Sequence, residues 1–145
     1  MKYYIRRLLL QHGHPHPTKW QLSPHCHVEI DYGAKAQYTT ELEPNPTLHA
    51  AGIKRIQEIV GGILYYARTV DKKILVDLIK IGLQQAAATE RTNKAITQLL
   101  NYVVTYPKGG IIYQASDMIL DAHADVSYLN VSKACSRIGA YIMLI

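Results

Sequence analysis

The C-terminal stretch "MILDAHAD" spaces Asp121, His123 and Asp125 at every second residue. In an extended chain this puts the three on one face, with Met118, Leu120, Ala122 and Ala124 on the other. A carboxylate fixed on rigid backbone is a hard oxygen ligand. A single one holds Mg²⁺ poorly, because that ion keeps its waters unless several ligands or phosphates converge. Asp121 lies four residues from Asp125, about 13 Å at strand rise, too far to share an ion. Asp117 falls in the turn "ASD".

Two other groups have ligating chemistry. "HGHPHP" and "SPHCHVE" offer His12, His14, His16, His25, Cys26 and His27, all of them donors that zinc accepts. Prolines separate the groups and neither has metal-finger spacing, so a flexible, partly cationic loop is the favoured reading. Cys135 would be a nucleophile only beside an activating base, which the sequence does not place; a half-buried structural thiol is favoured. Two cysteines far apart in sequence fit a reducing, intracellular setting, cytoplasmic or nuclear.

These residues depend on three stretches of different character. Residues 1–48 open with "KYYIRRLLLQH", where Tyr4, Ile5, Leu8 and Leu9 have helical spacing. Pro15, Pro17, Pro24, Pro44 and Pro46 then impose extended or turn-rich chain that wraps a surface or links modules. Residues 49–108 read as helices. Ile53, Ile56, Val60, Ile63, Leu64 and Ala67 form one stripe. Gly61 and Gly62 weaken that helix and imply a close approach by another element. Asp71 caps a second helix carrying Ile74, Leu75, Leu78, Ile81 and Gln85 inward. Thr89 and Glu90 start a third, with Ile96, Leu99, Leu100 and Val103 inward, and "YPKGG" ends it. Three such helices with short links are expected to pack as an antiparallel group. Residues 109–145 change to a period of two, with strands expected at "IIYQ", "MILDAHAD" and "IGAYIMLI". The last is apolar on both faces and calls for cover on both. The fold class expected is α+β.

The chain has 145 residues, 48% apolar and 19% charged, which argues against wholesale disorder. No apolar run approaches the roughly 20 residues that span a bilayer, so no membrane role is expected. A net charge of +5 permits nucleic-acid binding without demanding it.

"GIKRIQEIVGGILYYARTVDKKILVDLIKIGLQQ" resembles the region after the palm of copia-like retrotransposon polymerases. "AITQLLNYVVTYPKGGIIY" is similar to that family's next helix, which leads into its ribonuclease H domain. "HADVSYLNVSKACSRIGAYIML" resembles the start of that domain, and "YYIRRLLLQH" the exit from the palm. The order of these segments carries the resemblance more than any one motif. It implies helices of the thumb and connection followed by the first strands of a ribonuclease H-like sheet, truncated. It also makes Asp125 the first metal-binding aspartate of ribonuclease H, with Mg²⁺ as the complete enzyme's cofactor. The family's glutamate and two further aspartates lie beyond the strand ending at Ile145, and no Asp-Asp pair stands in for the polymerase site. Both catalytic sets are therefore incomplete, and no catalysis is expected of this chain alone.

The thumb and connection flank template and primer in the family, which makes Lys54, Arg55, Arg68, Lys72, Lys73 and, on the loop, Arg137 candidate contacts to an RNA–DNA hybrid. Lys80, Arg91 and Lys94 are spread over the same region. The competing reading is a solvated helix face, since the charges form no single stripe. Tyr65, Tyr66 and Tyr102 could stack on bases, though packing at the edge of an apolar stripe is favoured. A second reading is a recruited interaction module, in which the edge and apolar face of "IGAYIMLI" pair with a partner strand or a second copy.

Overall fold

A computed structural model describes residues 3–26, 45–110, 112, 114–131 and 135–145. The chain divides into two compact units, one helical and one a β-hairpin, so the architecture is α+β.

In the helical unit, α1 spans Tyr4–Gln11 and buries Leu8, with Tyr4, Ile5 and Leu9 half-buried beside it. It stops at Gly13, whose φ of 59° a side chain would disfavour. There the His14 amide donates to Leu9 O and the Gly13 amide to Leu10 O, satisfying the orphan carbonyls of the last turn. α2 spans Ala50–Thr69 and buries Ile56, Ile59, Val60, Ile63, Tyr66 and Ala67. Its adjacent glycines, Gly61 and Gly62, behave differently. A Cβ on Gly62 would strike Leu8 Cδ1, so α1 crosses here, and the Tyr4 hydroxyl donates to Gly62 O at 3.0 Å. Gly61 faces open space, and nothing approaches it.

Asp71 caps the next helix through a bond from the Lys73 amide, but the first turn, Lys72–Ile74, is a 3₁₀ helix that continues as α3, Leu75–Gln84. Ile74, Leu78 and Ile81 are buried, Leu75 and Gln85 partly so. A second 3₁₀ turn, Gln85–Ala87, leads to α4, Glu90–Thr105. Thr89 and Thr92 exchange side-chain and backbone bonds across its start, and Ile96, Leu99, Leu100 and Val103 point inward. α2 packs on α3, α3 on α4, and α1 on both α2 and α4. Each fully buried Ile or Leu contributes about 1.5–3 kcal/mol, so this shared core is the main source of stability.

The proline-rich chain after α1 belongs to this unit. His14 Nε2 meets Asn101 Oδ1 at 2.8 Å, and the Gln21 amide donates to Thr105 Oγ1. Gln98 donates to Ser23 O and His25 O, and accepts from Cys26 Sγ at 2.7 Å. Residues 14–25 are thus strapped along α4. Leu48 bonds Ala88 O, and Thr47 bridges Thr89, which ties the chain before α2 to the α3–α4 link.

The second unit is an antiparallel pair, β1 at Leu120–Val131 and β2 at Cys135–Leu144, registered Leu120 to Leu144 and Asp125 to Gly139. Directly opposed residues share a face. One face therefore carries the pairs Leu120–Leu144, Ala122–Ile142, Ala124–Ala140 and Val126–Ile138, all apolar. The other carries Asp121–Met143, His123–Tyr141 and Asp125–Gly139. The expected strand at 111–114 is not formed at Ile112 or Gln114; Ile111 and Tyr113 lie outside the described residues. Ile112 is exposed, and among the described residues no strand pairs with it. β1 is also longer than its alternation suggested, and pairing with β2 carries it past Asp125 to Val131. Asp125 is therefore a mid-strand residue and not a strand end.

Candidate nucleic-acid interface

Asp125 is exposed on the polar face of the hairpin, opposite Gly139. The neighbouring acid on that face, Asp121, is engaged with His123 Nε2 at 2.9 Å. Along a strand the two carboxylates stand roughly 13 Å apart. Among the described residues no three His, Cys, Asp or Glu side chains converge on a common point. This donor set does not fit a two-magnesium site, which needs carboxylates gathered around ions roughly 4 Å apart.

Three of the candidate ligands in the histidine-rich segments, His14, His25 and Cys26, are engaged with protein partners. His14 bonds Asn101, His25 Nδ1 lies 3.4 Å from the buried Asp77 carboxylate, and Cys26 bonds Gln98. Burial lowers the His14 pKa; its bond to Asn101 opposes this, and the Arg55 charge adds to it. His27 lies outside the described residues, as do the side chains of Cys135 and Arg137.

The candidate cations separate into two places. Lys54 and Arg55 sit near the start of α2, and Arg55 donates to His12 O at the end of α1, a structural use. Arg68 is in the last turn of α2, roughly 21 Å from Lys54 at helical rise. Lys72 and Lys73 follow it directly in the 3₁₀ turn. Lys80 pairs with Asp77 at 3.9 Å.

The tyrosines also sort by surroundings. Tyr66 is buried and Tyr65 is exposed with its ring tilted against Tyr4 at 5.7 Å. Tyr102, half-buried, pairs with the exposed ring of Tyr106 at 4.9 Å and 46°. That pair forms one wall of a cleft of about 420 Å³, together with Asp71, Lys73, Thr105, Pro107, Lys108 and Gly109. Asp71 is only 4% exposed. Its Oδ2 occupies the place a Cβ on Gly109 would need, so glycine there lets the chain close over the carboxylate. The negative charge of Asp71 reaches both phenols. Burial first, then Asp71, raises the pKa of Tyr66, and burial, Asp71 and Tyr106 raise that of Tyr102.

The cleft brings candidates Lys73 and Tyr102 together with residues the sequence analysis used only as punctuation. In the sequence Asp71 reads as a cap and "YPKGG" as a helix stop. The available signal was "YVVTYPK", which puts two tyrosines on one helix face just before a lysine. Chemically the site offers two lysines and an aromatic wall, with the Asp71 carboxylate closed over by Gly109. Comparison with protein-family models, curated proteins and solved structures finds no match to this chain.

Proposed function

We propose that this chain is a piece of a copia-like reverse transcriptase and ribonuclease H polyprotein, non-catalytic by itself, whose helical unit binds nucleic acid weakly and in a salt-dependent way. The observation that supports it best is the cleft where Lys73 and Lys108 flank the Tyr102–Tyr106 pair. Cations track phosphates and aromatic rings stack on bases, so the combination suits an unpaired strand or the frayed end of a hybrid. Two or three phosphate contacts give a single-strand salt slope of about −1.4 to −2.1, or roughly a tenfold loss from 50 to 200 mM salt. Titrating labelled RNA–DNA hybrid and single strands at those concentrations tests this. Absence of binding at the lower salt removes the reading. Mg²⁺-dependent hybrid cleavage that disappears in Asp125→Asn would overturn the non-catalytic part.

A second reading is favoured by the hairpin. Its four apolar pairs are uncovered, with Leu120 at 68%, Ile138 at 78% and Ile142 at 63% exposure. Both strands also have an unpaired edge among the described residues. Such a face suits pairing with a partner strand or a second copy. Light scattering after size exclusion tests it, and a clean monomer at high concentration argues against it.

A further inference from the structure

We infer that Trp20, the chain's one tryptophan, extends the cleft into a track for an unpaired strand, with the indole as a second stacking platform. This rests on the nucleic-acid reading above and narrows its ligand to single-stranded nucleic acid. Trp20 is 79% exposed, although it stands in chain that is strapped down on α4. The Gln21 amide donates to Thr105 Oγ1 at 3.1 Å, and Thr105 lines the cleft. Gln21 is half-buried there, while Trp20 and Leu22 on either side of it are exposed. An extended chain alternates in this way, so the bond that holds Gln21 inward leaves the indole outward. The same bond keeps the Cα atoms of Trp20 and Thr105 within about 11 Å of each other. Stacked nucleotides rise about 3.4 Å each, so roughly three of them cover that distance.

The charge around the indole favours a polyanion over a protein partner. The strap at residues 12–26, and residues 91–110 of α4 and the turn after it, contain no Asp or Glu. Lys19 directly precedes the indole, and Lys73 and Lys108 line the cleft; all three are exposed. The one acid of the cleft, Asp71, is closed over by Gly109. A strand laid from the Tyr102–Tyr106 pair to Trp20 thus meets cations at its phosphates and rings under its bases, with no exposed carboxylate on either element. In a hybrid duplex the base faces are already taken by their neighbours, so along its length the indole has nothing to stack on.

Because the chain has one tryptophan, indole emission excited beyond the tyrosine absorption band reports this contact alone. The test titrates the full chain at about 50 and about 200 mM salt. The probes are a short RNA strand of mixed sequence, the same strand annealed to its DNA complement, and an abasic strand of equal length. The single strand is expected to quench the indole saturably, and the abasic strand to bind without quenching. Trp20→Ala is expected to weaken single-strand binding about five- to a hundredfold by anisotropy, equally at both salts, since stacking neutralises no phosphate. Trp20→Tyr is expected to keep most of the affinity, and both variants to melt as the wild type does, because the side chain is exposed. Binding that leaves the emission unchanged, or that survives Trp20→Ala at full strength, overturns the indole's role and leaves nucleic-acid binding standing. A hybrid that binds and quenches as well as the single strand overturns the restriction to unpaired strands. Emission that shifts with protein concentration and not with added strand assigns the indole to a contact between copies and overturns the proposal. If no strand binds at the lower salt, both readings fail.

Discussion

Gly61 and Gly62 are adjacent in α2, yet replacing each by alanine is expected to move stability in opposite directions. In a helix interior the exchange gains about 0.8–1 kcal/mol, because alanine loses less backbone entropy and shields the chain. At Gly61 nothing lies within 4 Å of the new Cβ, so Gly61→Ala keeps that gain. For a chain of this size it corresponds to a rise of about 2–4 °C in Tm. At Gly62 the same methyl lands on Leu8 Cδ1, and Leu8 is only 7% exposed with the core behind it. Overpacking of this kind costs about 1–3 kcal/mol, which outweighs the propensity gain and leaves a net loss of roughly 1 kcal/mol. Shortening the obstacle reverses the sign. In a Leu8→Ala background, itself costing about 2–5 kcal/mol, Gly62→Ala becomes stabilising, giving a coupling of about 2 kcal/mol. Urea denaturation followed by far-UV circular dichroism measures all five proteins. Should Gly62→Ala stabilise as much as Gly61→Ala, α1 does not cross α2 at this point.

Thr89→Ala removes the cap of α4 and is expected to cost about 1 kcal/mol in the same assay, with Thr89→Ser losing less. Because burial lowers the His14 pKa below its ordinary 6.5, its contribution is intact above that pH and lost as pH falls through the folded value. The urea midpoint therefore falls as pH is lowered below about 6.5, and the drop is smaller in His14→Gln. Ile142→Lys puts a charge in the middle of the apolar hairpin face and is expected to abolish any concentration-dependent association seen by light scattering, with the melting of the helical unit unchanged.

The helical unit was largely legible because its signals are local. Asp71 and Thr89 cap where short polar side chains before an apolar repeat should, and the Ile96, Leu99, Leu100, Val103 stripe is buried as spaced. Reading α2 as a single stripe omitted Ile59 and Tyr66, which are buried because that helix is packed by α1 as well as α3. Gly13 was a readable stop for α1 that the proline-rich context hid. The hairpin was harder. "DVSYLNV" breaks the alternation of "MILDAHAD" at Tyr128 and Leu129, and pairing with β2 extends it as strand. The cleft was least legible of all, since Asp71 and Lys73 meet Tyr102 to Gly109 through tertiary packing across some thirty residues of sequence.

The strap along α4 has one consequence for how the molecule is taken apart. A single amide, Gln98, serves Ser23, His25 and Cys26 at once, so those three residues hold or release together. Loss of that one side chain removes three contacts to α4 at once and leaves His14–Asn101 and Gln21–Thr105 to hold the earlier part of the strap. A cut in the loosened strap separates α1, with Leu8, from the core it packs on.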